Sequence, residues 1–266
     1  MFSFLRWAFF AWLVLTSPAV LAEPPIVAAA SSLQFVMPEL AERFQAQGGA
    51  AMRVNYGASG NLSRQIAQGA PFALFLSADE QSVLTLYEAG LTKGAGVIYA
   101  VGRLAWLQPA ERGDLPPGDA PLSAVREAID AYRAGQGRPR IALANPEHAP
   151  YGVAARQALQ HAGLWDAVAP LRLLGENVSQ AARFALADEA RGGLVAYSLA
   201  LAPAVAEQAE HRLIPADWHA PLRQRMVLMP APGDSARAFY DWLQGQEAGA
   251  VFARFGFQPP GDVDGR

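Results

Sequence analysis

Two stretches decide the fold: Ile26-Val27-Ala28-Ala29-Ala30-Ser31-Ser32-Leu33 and Met52-Arg53-Val54-Asn55-Tyr56-Gly57-Ala58-Ser59-Gly60-Asn61-Leu62. In each, a short strand-like run ends on small and hydroxyl residues, and helical periodicity follows. The unbroken apolar run 26–30 suits a strand buried on both faces, as in a parallel sheet. Leu33, Val36, Met37, Leu40 and Phe44 then recur at helical spacing, with Glu39, Glu42 and Arg43 opposite, until Gly48-Gly49 stops the helix. In the second stretch, Met52 to Tyr56 is the strand, Gly57-Ala58-Ser59-Gly60 the tight loop, and Asn61 to Gln68 the helix.

The same alternation continues outward. Phe72 to Leu76 reads as a strand, and Ser77 or Asp79 as the N-cap of a helix carrying Val83, Leu84 and Tyr87. Gly96 to Leu107 is a long strand-like stretch with no helix beside it, and a polar segment rich in Pro and Gly runs to Pro121. Helices follow at 123–133, 150–162, 178–186, 235–245 and 247–255, and strands at 140–144, 171–174, 193–197 and 223–229. Strands alternating with helices predict an α/β fold with mainly parallel sheets. The long stretches near Gly96 and Arg223 are the best places for the chain to cross between two lobes. That puts 23–100 with 224–266 in the first lobe and 101–223 in the second.

Composition narrows the chemistry. The chain has 266 residues, no cysteine, and 21 basic against 24 acidic residues, a formal charge of −3. Without cysteine there is no disulfide, thiolate-held metal, iron–sulfur cluster or thiol nucleophile. The mild negative charge argues against nucleic acid as a partner. No paired-histidine metal motif and no Gly-rich P-loop occur, so neither a metal ion nor a nucleotide cofactor is expected. Met1 to Ala22 has Arg6 near its start, an apolar run from Trp7 to Leu15, Pro18, and small residues at Val20 and Ala22. It reads as a secretory signal peptide, so the mature protein is expected to be soluble in the periplasm and, with no cysteine after the signal, free of a lipid anchor.

The strand-to-helix junctions carry the functional signal. In parallel α/β sheets such junctions gather at the carboxyl ends of strands, where ligands bind. Helix starts offer unpaired N–H groups and partial positive charge, and hydroxyls add donors. Ser32 and Ser59 at such junctions can therefore hold an oxyanion without Lys or Arg. The plainer alternative is that both serines are helix caps.

Ala28-Ala29-Ala30-Ser31-Ser32-Leu33, the run Gly57 to Ile66, Gly69-Ala70-Pro71 through Phe75-Leu76-Ser77-Ala78-Asp79, Asn145-Pro146-Glu147-His148-Ala149-Pro150-Tyr151-Gly152 and the ending Phe252 to Phe257 together resemble the periplasmic molybdate-binding proteins of ABC importers. The resemblance runs in order along the whole mature chain. It implies a two-lobed, hinged periplasmic-binding-protein fold (type II) that closes on a tetrahedral dianion and delivers it to a membrane permease. It further implies ligand contacts from the Ser32 and Ser59 hydroxyls, from backbone N–H groups at Tyr151 and Val178, and from the Tyr197 hydroxyl, with Ser31 nearby. Molybdate, with tungstate, is the implied ligand, and a monomer without cofactor the implied state. Three positions depart from the family pattern: Ala73 in place of Asp, Gly60 in place of a second serine, and Tyr151 in place of a small residue. The Tyr151 hydroxyl could then replace that of Tyr197.

Other readings compete. Gly57-Ala58-Ser59-Gly60-Asn61 is one residue from the nucleophile elbow of serine hydrolases, which would need a base among His148, His161, His211 and His219. Sulfate is the alternative oxyanion. His148 reads as structural, the other histidines as surface residues, and Phe239, Tyr240 and Trp242 as core. Trp165 and Trp218 have no assigned role. With Lys93 the only lysine, the 20 arginines read as scattered surface charge.

Overall fold

The computed structural model describes residues 23–261. The expected signal peptide lies outside them. Ten strands form two five-stranded sheets: β1 (Ile26–Ala30), β2 (Arg53–Gly57), β3 (Leu74–Leu76), β4 (Val97–Gly102), β5 (Leu104–Pro109), β6 (Arg140–Ala144), β7 (Arg172–Gly175), β8 (Ala190–Ala196), β9 (Ala209–Leu213) and β10 (Leu222–Leu228). One sheet has the order β2-β1-β3-β10-β4 and the other β7-β6-β8-β5-β9. With flanking helices these make the two lobes of an α/β fold.

The parallel pairs are β1–β2, β1–β3, β6–β7 and β6–β8. Each antiparallel pair contains β5 or β10. The physical reason is connectivity. A strand-helix-strand crossover enforces parallel pairing, whereas β5 and β10 arrive from the other lobe. The stretch 96–107 is not one strand: β4 and β5 lie in different sheets, with Arg103 alone between them. The return runs from β9 to β10. Gly102 and Leu222 still pair within the first sheet, two residues beyond the expected crossings.

The parallel pairing follows from burial. Val27 to Ala30 of β1 and Ile141 to Ala144 of β6 are almost fully buried, as central strands covered on both faces must be. Val36, Met37, Leu40 and Phe44 of the helix Val36–Ala46 press on the first sheet, and Phe44 packs on Phe239 and Trp242. Phe239 is thus core, as its spacing predicts. In the second lobe Trp106 is fully buried, and its indole N–H donates to Gln108 at 2.9 Å. Among the described residues no helix is long and apolar enough to cross a membrane.

Candidate functional site

Four helical starts meet between the lobes. The short 3-10 turn Ser31–Leu33 follows β1, the helix Ser59–Ala67 follows β2, the helix Pro150–His161 follows β6, and the helix Val178–Ala185 begins three residues after β7. All sit at carboxyl ends of parallel strands, where a two-layer sheet leaves a crevice. Their first residues line a small cavity of about 10 Å³ bounded by Ala30, Ser31, Ser32, Gly57, Ala58, Ser59, Ala78, Ala149, Pro150, Tyr151 and Val178. No Asp, Glu, Lys, Arg or His lines it. Its electrostatics come from helix-start N–H groups and hydroxyls.

Neither serine spends its side chain on a helix cap. Ser59 is the first residue of its helix, behind Ala58, and its hydroxyl oxygen accepts from the Ala78 N–H at 2.9 Å. The Ser59 proton is thereby left to donate. Ser32 lies inside the 3-10 turn, and the helix begins only at Val36. The Ser32 Oγ atom is buried without a hydrogen-bond partner. It sits near enough to the Tyr151 phenol to oppose that group's shift, but its geometry is not that of a bond. A buried hydroxyl left unpaired costs free energy, so such a group usually marks a place where a ligand supplies the partner.

Tyr151 is 1 % exposed, on the second position of its helix. Its hydroxyl oxygen accepts from Gln224 Nε2 at 3.1 Å. Burial pushes the phenol well above its ordinary range, with the Gln224 amide and then the Ser32 hydroxyl opposing. Tyr99 is raised as well, chiefly by burial. Val178 follows Asn177, whose side chain caps the helix by accepting from the Gln180 N–H at 3.0 Å.

Across the cleft the lobes touch directly. The Ser179 hydroxyl donates to the Ser31 carbonyl at 2.9 Å and the Ser198 hydroxyl to the Ser32 carbonyl at 2.7 Å. The Gly60 N–H donates to the His148 carbonyl at 3.0 Å, and the Asn61 amide donates to the Glu176 carboxylate. A Cβ at residue 60 would stand 2.8 Å from that His148 oxygen. Gly60 therefore lets the two loops meet where a serine would hold them apart.

The structure brings Ser31, Ser32, Ser59, Tyr151 and Val178 together. Tyr197 is not among the residues that line the cavity. It lies 5.2 Å from the His211 ring and under the Arg103 guanidinium, and a Cβ at Gly256 would collide with it. The reason is register at the end of β8. Tyr197 and Ser198 both follow the strand, and it is Ser198 that faces Ser32. The run of hydroxyls after a strand, the same signal read at Ser31-Ser32, points to Ser198 too. Ser179 and Gln224 have no local signal of this kind.

The histidines also find places. The His148 ring contacts the Glu176 carbonyl at 2.8 Å and its carboxylate at 3.3 Å, a structural role on the cleft rim. His161 stacks on Trp218, whereas His211 and His219 are half-buried rather than surface groups, and burial lowers the pKa of both. A hydrolase would orient Ser59 with a histidine, but here the backbone amide of Ala78 does so. Arg172 lies over the Trp165 ring, and Arg225 pairs with Glu80 at 2.6 Å, so these guanidinium groups serve the fold. Among the described residues no cluster of His, Asp or Glu could hold a metal ion.

Comparison with known proteins agrees with this architecture. The family model for bacterial extracellular solute-binding proteins matches residues 26–258. The molybdate-binding protein ModA of Rhodobacter capsulatus is 32 % identical over 248 residues, covering 91 % of each chain. ModA of Azotobacter vinelandii is 31 % identical, covering 87 % of this chain and 88 % of that one. The solved Azotobacter vinelandii periplasmic molybdate-binding protein superposes with a TM-score of 0.77, covering 89 % of this chain and 99 % of that one at 29 % identity. The sulfate-binding protein SubI of Mycobacterium tuberculosis, at 16 % identity and a TM-score of 0.66, shares the fold. With its strand order, its inter-lobe cavity and a match along nearly all of the described residues, the chain belongs to the bacterial extracellular solute-binding protein family.

Proposed function

We propose that this protein captures molybdate, and tungstate with it, in the inter-lobe cavity and passes it to the membrane permease of an ABC importer. The observation that carries the reading is the buried, unpartnered Ser32 hydroxyl. It stands beside the Ser59 O–H, the Tyr151 phenol and the first turns at Tyr151 and Val178, in a cavity without a charged side chain. Such a set of donors stabilises a tetrahedral dianion through oriented dipoles rather than net charge. The ligand named for the ModA relatives has this shape and charge.

In this reading the first sheet with its helices forms one moving lobe and the second sheet with its helices the other, hinged where β4 meets β5 and where β9 leads to β10. Both lobes touch one anion, so the closed state binds it better and is populated by it. The protein acts as a periplasmic monomer. Size sets molybdate and tungstate apart from sulfate, because a fixed ring of donors suits one oxyanion radius. Calorimetry of the chain lacking residues 1–22 with molybdate, tungstate and sulfate tests this. Binding of the two larger anions in preference to sulfate is expected. No molybdate binding at micromolar concentration overturns it, and a preference for sulfate assigns the other oxyanion.

A further inference from the structure

A larger cavity lies where the chain passes between the lobes. Its volume is about 270 Å³, and it shares no lining residue with the cavity between the helical starts. Both connections contribute to its wall. Arg103, the single residue between β4 and β5, and Leu104 come from the outward one. Ile214 and His219 come from the return between β9 and β10, and Leu222 opens β10. Gln258 completes the wall from the C-terminal segment. Its backbone N–H and carbonyl are both bonded to Val101 of β4, at 2.9 and 2.8 Å.

The wall is mostly apolar, and no carboxylate lines it. Arg103 is partly buried, and among the described residues its guanidinium has neither an ion pair nor a hydrogen bond. Its contact is with the Tyr197 ring, whose centroid lies 5.5 Å away. Stacking on a ring face steadies a guanidinium without using its N–H donors. The other titratable group on the wall is His219. Its Nδ1 lies 2.9 Å from the Ala220 carbonyl, which only accepts, so Nδ1 carries the proton. Burial lowers the His219 pKa and keeps the ring neutral at neutral pH. The one charge on the wall is therefore that of Arg103, with its donors unspent.

We propose that this cavity is a second binding site, which takes a small organic carboxylate with an apolar body, and that its occupation strengthens oxyanion binding in the cleft. The carboxylate pairs with Arg103, whose fork of N–H groups matches two oxygens. The apolar body covers Leu104, Ile214 and Leu222. A volume of about 270 Å³ lies at the lower end for ligand pockets and suits a body of one ring. Because both connections supply the wall, a molecule seated there favours the hinge arrangement that gives the cavity this form. In that arrangement the lobes touch through Ser179 and Ser198, and a shut cleft grips an anion from both sides. By linkage the two ligands then strengthen each other. The coupling rests on the reading of the cleft as an oxyanion site, whereas the carboxylate site does not.

The probe is benzoate, titrated calorimetrically into the chain lacking residues 1–22, with acetate lacking the ring and benzyl alcohol lacking the charge. Benzoate is expected to bind about tenfold more tightly than either, and to lose about tenfold in Arg103→Gln but little in Arg103→Lys. It is expected to stay bound when molybdate saturates the cleft, and saturating benzoate to tighten molybdate binding about fivefold. No benzoate binding at millimolar concentration, equal binding by wild type and Arg103→Gln, or displacement of benzoate by molybdate overturns the site. An unchanged molybdate affinity overturns the coupling. If Arg103→Gln melts far below the wild type, nuclear Overhauser contacts from the benzoate ring to the Ile214 and Leu222 methyl groups are expected in the wild type, and contacts elsewhere overturn the proposal. A wild type that binds benzoate but no molybdate supports the site and overturns the reading of function instead.

Discussion

Ser198 and Ser32 lie 166 residues apart in the chain, yet the Ser198 hydroxyl donates to the Ser32 carbonyl at 2.7 Å across the cleft. The bond joins the lobes at the same residue whose own hydroxyl is left for a ligand. Ser198→Ala leaves a buried carbonyl unpaired, which costs about 1–3 kcal/mol. Because the bond exists only when the lobes are together, the cost falls on closure. Anion affinity drops by that amount, whereas Ser198→Thr keeps most of it. Calorimetry on both variants checks this, and equal affinity for wild type and Ser198→Ala contradicts it.

Ser32 and Ser59 should separate stability from binding. Ser32→Ala removes a hydroxyl that has no partner, so the melting temperature of the free protein holds or rises. Ser59→Ala breaks the bond from the Ala78 N–H and lowers it. Both variants weaken anion binding, by about 1–3 kcal/mol where a buried charge loses a donor. Thermal melts with and without molybdate distinguish the two effects. A loss of free-protein stability in Ser32→Ala as large as that in Ser59→Ala refutes the distinction.

Gly102→Ala places a methyl group against Tyr151 and Gln224. Overpacking of a closed core costs about 1–3 kcal/mol. The clash is with the end of a side chain, so truncating the partner relieves it. In a Tyr151→Ala background the same substitution should cost clearly less. A denaturant double-mutant cycle measures the coupling, and additive losses show that the strain lies elsewhere.

The phenol of Tyr151 keeps its proton through the ordinary tyrosine range. Burial disfavours the phenolate, so its folded pKa stands above the usual 10.0. The sign follows: its contribution to stability is whole below 10.0 and is lost as pH rises through the folded value. Molybdate affinity should therefore hold from neutral pH to 10.0 wherever the protein is folded. Calorimetry across that range in the wild type and Tyr151→Phe checks it. A wild-type decline centred at 10.0 that Tyr151→Phe abolishes would contradict it.

On the acid side, Arg191 bonded to Asp114 at 2.7 Å holds that carboxyl below its ordinary 3.8. A depressed folded pKa stabilises above 3.8 and the effect fades as pH falls through the lower folded value. The carboxylate is more than half exposed, which limits the gain to about 0–1 kcal/mol. Asp114→Asn should lower stability slightly at neutral pH and leave it nearly equal to the wild type in strong acid. Urea unfolding at both pH values reads the difference, and an equal deficit at both rules the ion pair out.

The strand-to-helix junctions were legible because their signals are local. Apolar runs ending in Ser31-Ser32 and Gly57-Ala58-Ser59, and the turn before Tyr151, place side chains by neighbours a few residues away. The two sheets were legible by alternation, but the antiparallel directions of β5 and β10 depend on which lobe each strand enters, and no periodicity carries that. Tyr197 and Ser198 could not be told apart in sequence, because a one-residue difference at a strand end decides which of two adjacent hydroxyls meets Ser32. Gln224 could not be read at all. It meets Tyr151 from 73 residues away and Tyr99 from 125, and only a bulge joins them.

The serine bonds across the cleft also bear on timing. They join protein to protein, so they favour shut lobes before any anion arrives. A ligand cannot enter a shut cleft, and capture therefore proceeds through whatever fraction of molecules stands open. Loosening Ser179 or Ser198 enlarges that fraction and speeds capture, but it shortens the time the anion is kept. These two hydroxyls thus set how quickly the cleft loads and how long it holds what it has taken up.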